Sequence, residues 1–231
     1  MDLAGKFVGD KNSLIPFKKL SKVIAEDIKE DIISGRYKSG ERLKEAELAT
    51  KYSVSKTPIR EAIQYLVGIG FIEMIPHTMI RVTKMDKKEV QNLYCIQGVL
   101  EGLAAREALL NLTEENYEEM EIRIAHMEKY AQVNDYTEYS KENNRFHSIF
   151  WQASNNERLL EMLQNTHERI QRFHSVPRRF PDRFKAFAAE HRKILEATTQ
   201  KNADKLEMLF RKHIQNHERQ IVDLLEKEDI F

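Results

Sequence analysis

Residues 54–63 read Val54-Ser55-Lys56-Thr57-Pro58-Ile59-Arg60-Glu61-Ala62-Ile63. Ser55 is a good helix N-cap, and Pro58 falls in the first turn, where its missing N–H costs little. Ile59, Ala62, Ile63, Leu66 and Val67 recur at i, i+3, i+4, i+7 and i+8, which predicts one apolar stripe. Lys56, Arg60 and Gln64 fall on another face, and Gly68 and Gly70 end the helix. The stretch is therefore an amphipathic helix entered through a tight turn, with long polar side chains on its outer side.

Working outward, the preceding residues predict two more helices. Leu20, Ile24, Ile28, Ile32 and Ile33 have helical spacing, and Gly35 suits the left-handed position beyond a helix end. Ser39-Gly40 marks a turn, and a short helix should cover about 44–52 with Ala46, Leu48 and Ala49 available for packing. On the other side, Phe71–Ile75 and Met79–Val82 read as two strands around Pro76-His77-Thr78. Three helices followed by a hairpin make a winged helix-turn-helix.

Beyond a polar connection at 83–88 the patterning is wholly helical. Helices are expected at about 87–110, 114–133, 135–153, 157–173, 181–198 and 203–226, with helix-start signals at Thr113 and Asp135. The fold class expected is mainly α: an N-terminal winged helix-turn-helix with a small β-hairpin wing, then an antiparallel bundle of about six helices. The domains expected are an N-terminal arm at 1–17, a DNA-binding domain at 18–85, and an all-helical domain at 86–231 for effector, metal and dimerisation.

Composition narrows the function classes. The 231 residues are 41% hydrophobic and 32% charged, enough for a packed core in each of two domains. The net charge of zero conceals 15 Lys and Arg against 11 Asp and Glu in residues 1–85, and 22 against 26 in the remainder. A basic front and an acidic back fit a nucleic-acid module joined to something else. A single cysteine, Cys95, excludes an internal disulfide and fits a reducing compartment. Charges at Asp2, Lys6, Asp10, Lys11, Lys18 and Lys19 interrupt any signal-peptide core, and no apolar run is long enough for a membrane span. A cytoplasmic protein without a membrane partner is expected.

Gly35-Arg36-Tyr37-Lys38-Ser39-Gly40-Glu41-Arg42-Leu43, Glu47-Leu48-Ala49 and the 54–63 string together resemble the DNA-binding domain of GntR regulators. The remainder is similar to the ligand-binding domain of their FadR-type branch, through Leu100-Glu101, Phe146-His147, Asn155, Glu190-His191 and His213. The resemblance implies a homodimeric repressor of a metabolic operon that binds double-stranded operator DNA and answers to a small-molecule effector in the helical domain, a small organic acid being one candidate. It assigns Lys56, Thr57 and Arg60 to the major groove, where side chains must reach base edges. By spacing alone, the same residues also fit a solvated helix face. His77 and Thr78, in the wing turn, would meet the minor groove or its phosphates, or be plain turn residues. Two departures make the operator sequence non-transferable: the wing turn lacks glycine, and Ala46 stands where relatives often place an arginine.

The resemblance also implies a metal site at Asn143, His147, His191 and His213. Asn143 and His147 are one turn apart and share a face, while the other two histidines fall on later helices. Asn143 stands where aspartate is usual, so a neutral oxygen replaces a charged one. Three imidazoles and an oxygen suit Zn²⁺ or Ni²⁺, and Mn²⁺ less well. Effector contacts are expected from Gln97 and Glu101, with Arg169 and Arg172 in the fourth sensor helix as cationic partners. Gln97 occupies the place of an arginine in many relatives and cannot neutralise a carboxylate. The competing class is a metalloenzyme, since three histidines with an open position also describe hydrolytic sites. The sequence has no His-Glu-x-x-His helix, nucleophile motif or phosphate loop to support it.

Overall fold

The computed structural model describes residues 17–75, 79–175 and 184–227, and the chain divides into two compact units between Met85 and Asp86. In the first unit, helix α1 (Phe17–Ile33) is followed by strand β1 (Arg42–Leu43), helix α2 (Glu45–Tyr52), helix α3 (Lys56–Gly68), and strands β2 (Ile72–Ile75) and β3 (Met79–Val82). The strands form an antiparallel sheet in the order β1-β3-β2, with Leu43 opposite Ile80 and Met74 opposite Ile80 on the other side. The sequence reading has the hairpin but lacks β1, because two residues leave no alternation to detect. Helix α1 also starts three residues before the first apolar position used to predict it, at Leu20.

The core of this unit is built from the predicted stripes. Ile24, Ile28, Ile59, Ile63 and Leu66 are fully buried with Phe71 and Ile72. At about 1.5–3 kcal/mol per buried aliphatic side chain, these positions hold α3 against α1. Val67, predicted as part of the same stripe, is exposed at its edge. Gly35 has φ +78°, a left-handed conformation that lets the chain turn out of α1, with its N–H bonded to the Ile32 carbonyl at 3.0 Å. The Tyr52 hydroxyl donates to Asp27 at 2.6 Å and the Lys51 ammonium to Asp31 at 2.6 Å, so the end of α2 is tied to α1.

The second unit contains α4 (Lys87–Ala108), α5 (Glu114–Gln132), α6 (Tyr136–Ala153), α7 (Glu157–Ile170), a short 3-10 helix (Gln171–Ser175), α8 (Phe184–Thr199) and α9 (Ala203–Lys227). Carboxylate and amide caps set several starts: Asp86 accepts from Glu89 N, Asp135 from Glu138 N and Asn156 from Leu159 N, each at 3.0–3.1 Å. Asn155, at φ +52°, takes the left-handed turn between α6 and α7. The expected fourth sensor helix changes to 3-10 geometry after Ile170, and the start expected at 181 for the next helix lies outside the described residues.

Phe146, Phe150, Phe184 and Phe210 are fully buried at the centre of this bundle. Helices α4 and α9 pack closely, and Gly102 makes this possible. A Cβ there would lie 3.0 Å from the side chains of Arg211 and Glu207 on α9. Spacing alone does not reveal this close approach. Among the described residues, no helix is long and apolar enough to cross a membrane.

Candidate functional site

On α3, packing of one face dictates what the other can do. With Pro58, Ile59, Ala62, Ile63 and Leu66 buried, Lys56, Thr57, Arg60 and Gln64 are all exposed. Ser55 holds the N-cap position in extended geometry (φ −68°, ψ 168°), but its side chain makes no capping hydrogen bond. The first-turn N–H groups are thus not taken by that hydroxyl, and a helix N-terminus attracts phosphate. Arg60 Nε donates to Glu45 Oε2 on α2 at 2.9 Å, which ties its guanidinium to the neighbouring helix. Glu45 was absent from the sequence reading, since a pairing across fifteen residues has no periodic signature. Ala46 is exposed beside it and contributes no donor. His77 and Thr78 lie outside the described residues.

In the second unit, His147 on α6, His191 on α8 and His213 on α9 are 4%, 0% and 2% exposed. Their ligand-capable nitrogens lie within 4.8 Å of one another. Each ring has its Nδ1 engaged: His147 with Glu101 Oε2 at 3.1 Å, His191 with the Phe187 carbonyl at 2.8 Å, and His213 with Glu190 Oε2 at 2.7 Å. An acceptor at Nδ1 fixes the proton there and leaves the Nε2 lone pair for another partner. The Nε2 atoms of His191 and His213 are buried with no hydrogen-bond partner, as is Asn143 Oδ1. An unpartnered buried nitrogen costs about 1–3 kcal/mol, a cost that coordination of an ion removes. A zinc ion needs nitrogens at about 2.0–2.1 Å, so binding would draw the rings together by an ångström or so.

The electrostatics favour ligation. Burial holds His191 well below the ordinary histidine value, aided by the neighbouring His147 and opposed by its bond to Phe187. Burial likewise lowers His213, with the neighbouring His191, His217 and His147 adding to the shift. Both rings are therefore neutral at physiological pH, the form a metal requires. Glu101 is raised by burial, but His147, Trp151 and Gln97 outweigh this and hold it below its ordinary value. This carboxylate is the hub of the site: Oε2 takes His147 Nδ1 and Trp151 Nε1 (2.8 Å), and Oε1 takes Gln97 Nε2 (2.9 Å).

A cavity of about 60 Å³ adjoins the cluster, lined among others by Gln97, Glu101, Tyr139, Asn143, His147 and His213. The structure thus brings Asn143, His147, His213, Gln97 and Glu101 to one cavity, with His191 behind them. It does not bring Arg169 and Arg172 there. Arg169 is exposed, and Arg172 is buried in an ion pair with Glu89 of α4. On the segment that carries them, the residues lining the cavity are His167 and Ile170. His167 stands against Trp151 with ring centroids 5.3 Å apart. His217, one turn beyond His213, lines the cavity and stacks on Phe187 at 3.7 Å.

Known families account for both units. The sequence model of bacterial regulatory proteins of the gntR family matches residues 20–82, and that of the FCD domain matches residues 92–216. The chain belongs to the GntR family. Among GntR relatives, the uncharacterized regulator YdhC of Bacillus subtilis (strain 168) is 29% identical over 178 residues, covering 77% of this chain and 80% of that protein. The probable D-xylose utilization operon repressor of Paenarthrobacter nicotinovorans is 30% identical over 130 residues, 56% of this chain and 57% of its own length. Among solved structures, E. coli McbR/YncC shares the fold, with TM-score 0.76 at 21% identity over 88% of this chain and 97% of that one. This GntR protein is a ligand-responsive, DNA-binding transcriptional regulator and not an enzyme. Its DNA contact belongs to the helix-turn-helix and its effector to the FCD domain.

Proposed function

We propose that the chain works as a homodimeric repressor whose α3 helices read the two halves of a near-palindromic operator, and whose FCD domains each hold one divalent metal beside the effector. Lys56, Thr57 and Arg60 are assigned to base edges and phosphates. Support comes from their common exposure on the face of α3 opposite its buried stripe. One such helix covers only a half-site, so two-fold pairing is the economical way to specify an operator. Ile96, Val99 and Leu103 on α4, 50%, 44% and 37% exposed, offer an apolar stripe for a second copy. A mass near twice 27.2 kDa in sedimentation is the expected result.

The metal is assigned to His147, His191 and His213, with Asn143 Oδ1 as the fourth, weaker ligand, and zinc or nickel favoured over manganese by the nitrogen-rich set. The observation that carries this assignment is the convergence of three buried rings whose Nδ1 atoms are already occupied. The ion would cross-link α6, α8 and α9 and polarise whatever enters the cavity. At a hundredfold excess over its dissociation constant it should stabilise the fold by about 2.7 kcal/mol. The test is metal content after purification without a histidine tag, with melting curves before and after chelation. One equivalent per chain, a lower melting temperature on chelation, and loss of the metal in His191→Ala are expected. No metal and no chelator effect would return these histidines to the role of cavity walls.

A further inference from the structure

Besides the assigned metal ligands, Gln97 and Tyr139 each bring a buried polar atom to the sensor cavity. Gln97 is 2% exposed, and its Nε2 donates to Glu101 Oε1 at 2.9 Å. Turning the amide over would set its oxygen against that carboxylate, so Nε2 must face Glu101 and Oε1 must face elsewhere. Gln97 Oε1 is buried and has no hydrogen-bond partner. The Tyr139 hydroxyl on α6 is the second such group, 2% exposed as a residue and likewise without a partner. Burial raises its pKa, so it is a neutral hydroxyl that can donate or accept. Gln97 and Tyr139 both line the 60 Å³ cavity.

We infer that, beside Gln97, this cavity receives an uncharged, hydrogen-bond-donating group of the effector, a hydroxyl or an amide N–H, and that Gln97 selects it over a carboxylate at that position. The inference rests on the sensor reading above and names its ligand class. An acceptor that cannot be turned requires a donor opposite it, which a carboxylate lacks. Among the described residues that line the cavity there is no lysine or arginine, and Glu101 already places a negative charge behind Gln97. A carboxylate set against Gln97 Oε1 would lose its water and bring a second acceptor against the first, with no cationic side chain beside it, whatever attraction a metal exerts at the histidines. A hydroxyl or primary amide can donate to Gln97 and still exchange a hydrogen bond with Tyr139. The cavity, about 60 Å³, is roomy enough for a head group of that size. Tyr94, Tyr136 and Phe184 supply apolar wall for the rest of the ligand.

The test uses the full chain and a matched pair of small molecules, propionamide and propionate, with affinities from ligand-observed NMR on metal-loaded and on chelator-treated protein, the preference being read on the chelated chain, where no ion attracts propionate. Propionamide should bind at least about tenfold more tightly than propionate, the scale of one satisfied buried hydrogen bond. Gln97→Met, which removes the acceptor at nearly constant volume, should abolish that preference. Gln97→Arg, which supplies a guanidinium, should reverse it. Propionate binding as tightly as propionamide, or unchanged selectivity in a folded Gln97→Met, would overturn the inference. Binding of neither compound would overturn it too, leaving only a trapped water on Gln97. Metal content and operator affinity measured on the same samples separate the two readings. A chain that prefers propionamide but holds no metal sinks the metal assignment alone, whereas one that holds metal and operator yet, once chelated, prefers propionate sinks this inference alone.

Discussion

The recognition helix and the histidine cluster assemble their residues in opposite ways. Lys56, Thr57 and Arg60 fall within little more than one turn of α3, and all are exposed. Their arrangement requires only that the opposite face of α3 be buried. His147, His191 and His213 come from three helices, and each ring is set by a different partner: a carboxylate of α4, a backbone carbonyl of α8 and a carboxylate of α8. A surface site of the first kind should lose affinity contact by contact. A buried site of the second kind should fail when a supporting group is removed, even one that touches no ligand.

The largest effect is expected on the DNA side. Lys56→Ala and Arg60→Ala should each weaken specific operator binding by about 1–3 kcal/mol, the value of a good base contact, and together abolish it. Fluorescence anisotropy at matched salt measures this, and metal content in the same variants should be unchanged. Operator binding equal to the parent's in both variants would remove α3 from the interface. Loss of metal in either would break the contrast between an independent surface site and a buried one.

A smaller effect tests the buried site through its support. Glu101→Gln keeps the shape of the hub but removes its charge and one acceptor, although three donors converge on that carboxylate. His147 would lose the partner that fixes its ring, and metal affinity should fall by about ten- to a hundredfold. Competition against a chelator of known affinity gives the number. Affinity equal to the parent's would mean that Glu101 does not orient His147.

The two regions were also unequally legible in the sequence. The apolar stripe of α3 is periodic, so Ile59, Ala62, Ile63 and Leu66 were placed in the core without tertiary information, and its polar face followed. The ligand set came from a pattern of spacings joined to a family resemblance, and spacing can put Asn143 and His147 on one face but cannot say what stands behind them. The spacing offers Glu101 as an effector contact but does not show that it also holds Gln97, His147 and Trp151. Arg172 was read as a cation for the effector, yet it pairs with Glu89, more than eighty residues earlier. The Gly102 contact, the Glu45–Arg60 pair and the two-residue strand β1 are of the same kind. Each is a meeting of distant residues decided by tertiary packing, and hydrophobic periodicity carries no trace of it.

The smallest effect concerns the one ligand position at which this chain departs from the pattern its resemblance implies. Asn143 Oδ1 is buried without a hydrogen-bond partner, so it is free to ligate, but it is neutral. Asn143→Asp changes one atom type and adds a negative charge beside the cation. With metal present the charge is compensated, and affinity should rise on the order of tenfold, the scale on which a neighbouring charge shifts a binding equilibrium. Without metal, the same carboxylate would be partly buried near Glu101, and it should destabilise the chain. The melting-temperature difference between loaded and chelated protein should therefore widen from both ends. This pattern separates ligation from packing: a residue that merely fills space would shift both melting temperatures together. Equal shifts in the two states, with metal affinity unchanged, would take Asn143 out of the ligand set and leave the three histidines to hold the ion alone.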